Sequence, residues 1–116
     1  PEYMQGRSLV PLLTRAEQPD ELRDFVRCEY FDALDPHFTG GQGTYATMYR
    51  DRRYKLSVYH GHGLGELYDL EQDPWEHHNL WDDPGSQPLK ARLMAASFDS
   101  HVLLTTDVGS RRIAPM

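Results

Sequence analysis

Cysteine, long apolar runs and an excess of basic residues are all scarce or missing in this sequence of 116 residues. Cys28 is the only cysteine, which excludes an intrachain disulfide and a cysteine-rich zinc site. No apolar run approaches the roughly 20 residues of a membrane-spanning helix, so we expect no membrane partner. The formal charge of −6 argues against nucleic acid as a partner, because binding a phosphate backbone calls for a basic face.

What the sequence does contain is an alternating pattern of side chains that predicts β-strands. The predicted strands are 25–31, 45–50, 54–60 and 66–71. The polar stretch Asp51–Arg53 is short, so the two middle strands are predicted to form an antiparallel hairpin, with the turn type left open. Cys28 lies in the first strand, and since free cysteines are usually buried, we predict a buried thiol there.

Loops are predicted on both sides of the last strand. Three alternate glycines in the stretch His60–Gly65 would lose much backbone entropy in a regular strand. They predict a loop that turns sharply or approaches another group closely. After the strand, Asp73 suits the cap of one helical turn that ends near Asn79, with a proline at its first position. We expect Trp75 and Trp81 to pack beside this turn.

A helix is predicted after Ser86, which is a favourable N-cap. The apolar residues of its stripe are Leu89, Leu93, Ala96, Leu103 and Leu104, with Met94 and Phe98 at the margin. A sheet and a helix that each have an apolar face can bury each other. The predicted fold class is therefore α+β, a small antiparallel sheet of about four strands with a C-terminal helix packed on one face.

The stretch YKLSVYHGHGLGELYDLEQDPWEHHNL resembles the C-terminal subdomain of the sulfatases, a branch of the alkaline phosphatase superfamily. That family has the pattern G-E-L-Y-D-L-x-x-D-P-x-E-x-x-N-L, and residues 65–80 match it position by position. Upstream, Gly6–Leu13 resembles the G-x-S-L-x-P-L-L segment near the junction of the two sulfatase domains. The resemblance implies a linker arm at 1–24 from a missing catalytic domain, the subdomain at 25–104 and a tail at 105–116.

The resemblance also implies a reaction, the hydrolysis of a sulfate ester. Sulfatases use a formylglycine, made from the Cys or Ser of a C/S-x-P-x-R motif, and a divalent cation, which we expect to be calcium. Neither Cys28 nor any serine of this sequence opens that motif. The implied function is that of a C-terminal subdomain fragment of a sulfatase (a sulfuric ester hydrolase), catalytically silent alone. Its implied partner is the catalytic domain of the parent enzyme, which it supports and whose substrate pocket it partly forms.

His60 and His62 are the candidate substrate-binding residues. An imidazole is a plausible donor to a sulfate or a sugar hydroxyl, and the neighbouring glycines let the loop approach a ligand closely. Two alternatives stay open. The histidines are polar residues of an exposed loop, or they join Glu66, or the pair His77 and His78, in a zinc site.

A function of another class, a free-standing binding or interaction module, is also compatible with a sheet-plus-helix fold. The chain lacks an initiator methionine and begins inside a motif that normally joins two domains, and both features favour the sulfatase interpretation over the module. The apolar residues of the arm, Leu9, Val10, Leu12 and Leu13, need a surface to lie against. Exposed apolar patches and strand edges promote association, so we expect a homo-oligomer, most simply a two-fold dimer.

Overall fold

The computed structural model describes residues 6, 8–14, 23–32 and 43–105. The chain divides into two compact units, one of residues 23–97 and one of residues 1–22 with 98–116. The elements are α1 (Val10–Leu13), β1 (Val26–Phe31), β2 (Tyr45–Arg50), β3 (Tyr54–Tyr59), β4 (Leu64–Asp69), a 3₁₀ turn (Pro84–Ser86) and α2 (Gln87–Thr105). No helix within these described ranges is long and apolar enough to cross a membrane.

The larger unit is built on an open antiparallel sheet with the strand order β1-β2-β3-β4. Tyr49 on β2 lies opposite Leu56 on β3, and Leu56 lies opposite Leu67 on β4. Because side chains alternate along a strand, these three residues share one face of the sheet. The α+β class, the four strands and the C-terminal helix are confirmed.

Helix α2 covers that face and forms the core with it. Leu56, Leu67 and Leu93 are completely buried, and Tyr49 stacks on Phe25 with ring centroids 5.3 Å apart. Leu89 and Ala96, one helical turn on either side of Leu93, pack against the same cluster. The predicted stripe therefore holds over the first half of the helix. It is wrong further on, where Phe98 and Leu103 are 68% and 70% exposed.

The β2–β3 turn owes its shape to one carboxylate. Asp51 Oδ1 accepts hydrogen bonds from the backbone N–H groups of Arg53 (2.9 Å) and Tyr54 (2.7 Å). An aspartate that bonds its own backbone two or three residues ahead reverses the chain without an Asn-Gly pair. This explains why the hairpin forms although its sequence has no glycine at the turn.

Strand β4 begins and ends two residues earlier than predicted, at Leu64–Asp69 rather than 66–71. Gly65 therefore lies within the strand rather than in the loop. The ring of Trp81 lies directly on Gly65, so closely that an added Cβ would clash with it. The prediction of a close approach is thus confirmed for Gly65, whereas the sharp turn belongs to the two preceding glycines.

Three local predictions are wrong. The thiol of Cys28 is exposed, because β1 is the outer strand and Cys28 points away from α2. Trp75 is 80% exposed, unlike Trp81, which packs against the core. The stretch after Asp73 is a tight turn rather than a helical turn, because the backbone of Glu76 is left-handed (φ 59°) and donates to the carbonyl of Asp73.

Candidate functional site

The turn between β3 and β4, residues 60–63, carries both candidate histidines. Gly61 and Gly63 have φ angles of 83° and 66°, in the left-handed region that glycine adopts without steric cost. The backbone N–H of His60 donates to the carbonyl of Tyr45 (2.8 Å), which extends the β2–β3 ladder by one residue. The two glycines therefore allow a short turn that starts from a fixed His60 backbone.

The ring of His60 is held as well. Its Nε2 lies 2.9 Å from the hydroxyl oxygen of Thr47, a residue of β2, so backbone and side chain are both hydrogen-bonded to that strand. Within the described ranges, the other ring nitrogen of His60 has no hydrogen-bond partner and the residue is exposed. The contact with Thr47 therefore gives the exposed ring of His60 a defined orientation.

His62 is also exposed, two residues further along the same turn. Its backbone N–H donates to the carbonyl of Tyr59 at 3.3 Å. No hydrogen bond between described residues holds its ring, so the two histidines share a turn but differ in how firmly they are placed. Sequence reasoning found both histidines and missed Thr47, whose contact spans 13 residues and leaves no local signal.

The zinc alternative finds no support. Among the described residues, no group of three or more His, Cys, Asp or Glu side chains lies close enough to hold a metal ion. His60, His62, Glu66, His77 and His78 are all within the described part of the chain.

The side chain of Asn79 forms hydrogen bonds along the outer edge of β4, as the backbone of a further strand would. Asn79 Oδ1 accepts from the backbone N–H of Leu67 (3.0 Å), and its Nδ2 donates to the carbonyl of Gly65 (3.0 Å). The backbone N–H of Leu80 then donates to the carbonyl of Leu67 (2.8 Å). These bonds satisfy groups that an edge strand leaves open. They also give the Asn-Leu pair at the end of the sulfatase-like pattern a physical role.

Two ion pairs fix the end of the sheet away from the histidine turn. The guanidinium of Arg53 binds both carboxylate oxygens of Asp69, with Nε 3.0 Å from Oδ1 and Nη2 2.7 Å from Oδ2. This hydrogen bonding lowers the pKa of Asp69 and raises the pKa of Arg53. Lys55 Nζ lies 2.5 Å from Oε2 of Glu76, which ties the turn after β4 back to β3.

The turn after β4 contains a second carboxylate with a shifted pKa. Asp73 Oδ2 accepts from the backbone N–H of His78 (2.7 Å). Backbone hydrogen bonds from His78 and His77 favour the charged form and lower the pKa of Asp73. The proposed cap at Asp73 therefore exists, but it closes a loop rather than the start of a helix.

The described residues do not fit the catalytic machinery of a sulfatase. Ser86 comes nearest to the C/S-x-P-x-R motif, with Pro88 in place, but Lys90 stands where the motif has arginine. The hydroxyl of Ser86 donates to Asp83 (2.6 Å), and Lys90 donates to the carbonyl of Trp81 (2.7 Å). Both side chains thus hydrogen-bond to the segment that precedes α2, and no catalytic step follows from them.

Comparison with known proteins points to one family. Residues 1–100 match the family model described as N-sulphoglucosamine sulphohydrolase, C-terminal. An uncharacterized protein of Haemophilus influenzae is 30% identical over 94 residues, which are 81% of this chain and 43% of that protein. The chain therefore spans less than half the length of this relative.

Solved structures give the same result. A putative sulfatase from Bacteroides thetaiotaomicron and the 2-O GAG sulfatase BT1596 each match with a TM-score of 0.71 and 30% identity, over 93% of this chain and 22% of theirs. A phosphonate monoester hydrolase of Agrobacterium radiobacter, at 23% identity and a TM-score of 0.60 over 85% of this chain and 21% of its own, shares the fold. The chain thus corresponds to roughly a fifth of these larger proteins.

Proposed function

Because the chain belongs to the N-sulphoglucosamine sulphohydrolase C-terminal family, we propose that it is the C-terminal subdomain of a sulfatase that supports the catalytic domain and supplies one wall of its substrate pocket. The supporting observation is the turn at 60–63, where a hydrogen bond to Thr47 orients the ring of His60. The chain spans 22% of two sulfatase chains, which favours a part of a larger enzyme over a free-standing module.

The chemistry of the turn suits an anionic or hydroxyl-rich ligand. A sulfate ester offers acceptor oxygens, and an imidazole N–H donates to them whether the ring is neutral or protonated. The exposed glycines keep the space beside the histidines free of side chains, so that a ligand can approach the backbone. His60 is the better placed of the two, since its ring need not be ordered when the ligand binds.

No cysteine or serine of the chain opens the C/S-x-P-x-R motif, and no group of three or more His, Cys, Asp or Glu side chains in the described ranges could hold a metal ion. Formylglycine and calcium are expected in the parent enzyme, and the residues described above do not fit either of them. The 116-residue chain alone is therefore expected to be catalytically silent. Its contribution is binding and orientation, which act on substrate affinity and substrate choice.

The test is a pair of substitutions in the parent enzyme, His60→Ala and His62→Ala. We expect His60→Ala to raise KM or change the preference among sulfated sugars by about tenfold, the loss that one charge-assisted hydrogen bond worth about 1.5 kcal/mol implies. His62→Ala should have a smaller effect, because its ring is not held in place. Both variants should keep the melting temperature of the parent.

His77→Ala is the matched control, since His77 is an exposed histidine of the turn after β4. Its kinetics should equal those of the unmodified enzyme. If His60→Ala and His62→Ala also leave KM and substrate preference unchanged, the turn is an exposed loop without a part in substrate binding. A fall in melting temperature together with lost activity would instead assign His60 a structural role through Thr47.

A further inference from the structure

We propose that the outward side of α2 is the interface of a two-fold dimer, in which the α2 helices of two copies pack antiparallel. This inference goes beyond the proposed function and does not depend on the pocket role of His60. It concerns a second apolar surface of α2, which we call the outer stripe. The outer stripe consists of Ala91, Met94, Ala95, Phe98 and Val102.

Helix α2 is apolar on two opposite sides. Its inner side carries Leu93, which is completely buried against the sheet. Phe98 lies about 140° around the helix axis from Leu93, because successive residues are about 100° apart. Met94, Phe98 and Val102 are 43%, 68% and 37% exposed. A surface helix usually has a polar outer side, whereas a helix that is apolar on both sides is usually buried on both. The composition of α2 is therefore that of a helix with a partner on each side.

The spacing of the outer stripe is that of a helix pair. Ala91, Ala95, Phe98 and Val102 follow each other at intervals of four, three and four residues. In this heptad pattern the apolar positions form a seam that packs against a second helix. The seam extends over about 17 Å, since each residue adds about 1.5 Å to the length of a helix.

An antiparallel arrangement of two copies matches small residues of the stripe with large ones. With the two-fold axis at the midpoint of the stripe, Ala95 of one copy faces Phe98 of the other, and Ala91 faces Val102. Each large side chain then enters the space that an alanine leaves. In a parallel arrangement every residue would instead face its own equivalent, so that Phe98 would meet Phe98 and alanine would meet alanine. The order of the residues therefore favours the antiparallel pair.

Two charges of opposite sign, Arg92 and Asp99, lie along one flank of the stripe. They are seven residues apart, and side chains of one helix meet at a separation of three or four, so they do not pair with each other. Both residues are exposed, and within the described ranges neither has an ion-pair partner. The guanidinium of Arg92 lies 5.7 Å from the ring centroid of Tyr54.

The antiparallel pair supplies the missing partners. Arg92 of each copy lies within about two residues of Asp99 of the other, which is roughly 3 Å along the helix axis. Two identical ion pairs form, because the two-fold axis repeats every contact. This charge complementarity of the stripe with itself favours a second copy of the chain over an unrelated protein as the occupant.

The test is the oligomeric state of the parent enzyme, measured by sedimentation velocity from submicromolar to micromolar concentrations. We expect a dimer, and we expect Phe98→Ser to raise its dissociation constant at least about tenfold, because the large central side chains of an interface carry most of the binding energy. Leu103→Ser is the matched control, since Leu103 is 70% exposed on the same helix but lies outside the stripe. It should leave the dissociation constant unchanged. His60→Ala should also leave it unchanged, so the dimer and the pocket role are tested separately.

A charge exchange distinguishes pairing between copies from a structural role of either residue. Asp99→Arg places cations opposite each other at two symmetric positions and should raise the dissociation constant at least about tenfold. The double variant that combines Arg92→Asp with Asp99→Arg restores opposite charges. Its dissociation constant should return to within about threefold of the original value, as a direct coupling between the two positions requires.

Three results would overturn the inference. A parent enzyme that stays monomeric at micromolar concentration has no such interface. A dimer that Phe98→Ser leaves unchanged, or that Leu103→Ser weakens equally, forms through another surface. A double variant that dissociates as readily as Asp99→Arg alone excludes the antiparallel contact between Arg92 and Asp99.

Discussion

The two faces of the sheet are made by the same strands but have different compositions. Along β3, Leu56 points to α2 and is buried, whereas the next residue, Ser57, points to the opposite face of the sheet, which we call the free face. The helix side combines leucines with aromatic rings such as Tyr49 and Phe25 and is closed by Leu93. The opposite side has the smaller or more polar residues Cys28, Ala46 and Ser57 together with Met48 and two tyrosines. The difference shows that the buried core lies between α2 and one face of the sheet, and that the free face takes no part in it.

The helix side is also small. Leu56, Leu67 and Leu93 are its completely buried side chains among the described residues. A single small core of this kind gives only a few kcal/mol of net stability, because ordering the chain opposes it. A subdomain with such a core gains stability when its second face is covered. The two faces should therefore respond differently to truncation.

The largest expected effect is on the helix side. Leu56→Ala in this chain removes a buried side chain and should lower the free energy of unfolding by about 2–5 kcal/mol. Met48→Ala, on the free face, should lower it by less than about 0.5 kcal/mol. Urea unfolding followed by circular dichroism measures both values. Equal losses would break the comparison, because the free face would then be part of the core.

An intermediate effect is expected at the edge of β4. Asn79→Ala removes the bonds to Leu67 and Gly65 and should cost about 1–2 kcal/mol of unfolding free energy, the usual range for partly exposed hydrogen bonds. Asn79→Asp keeps an acceptor for the N–H of Leu67 but loses the donor to the carbonyl of Gly65. It should therefore lower the free energy of unfolding, but by less than Asn79→Ala does. Two variants as stable as the original would show that water replaces these bonds.

The strands and the class of the fold could be predicted because a period of two is a local property of the sequence. The exposure of Cys28 could not, since it depends on β1 being the outer strand of the sheet. The left-handed Glu76 was also missed. Its side chain pairs with Lys55, 21 positions earlier, and a contact at that distance leaves no pattern among neighbouring residues.

The candidate site was only half predictable for the same reason. His60 and the glycines of its turn are adjacent in the sequence, so their combination suggested a ligand-binding loop. Thr47 lies on another strand, and the register that brings it to His60 exists only after β2 and β3 have paired. The sulfatase-like pattern located Asn79 but not its function, which depends on the open edge of β4.

The smallest effect should come from acid, which acts on the ion pair between Arg53 and Asp69 at the end of the sheet. The pKa of Asp69 is lowered in the folded chain by Arg53, so the unfolded chain binds more protons between the folded and the unfolded pKa. This contribution is present above the ordinary aspartate pKa of about 4 and is lost as the pH falls through the lower folded value. Asp69→Asn should therefore be less stable than the unmodified chain at pH 7, and the difference should shrink as the pH falls from about 4 through the lower folded pKa.

Urea unfolding at a series of pH values measures this convergence. Glu71→Gln is the matched control, because Glu71 lies 3.5 Å from the same guanidinium but is 61% exposed, and exposed pairs contribute little. The residual acid sensitivity of Asp69→Asn should come from Asp73, whose pKa is also lowered. If Asp69→Asn keeps the full acid slope, the Arg53 pair does not couple folding to protonation. In either outcome Met48→Ala should leave the slope unchanged, because the free face has no ionised group at its centre.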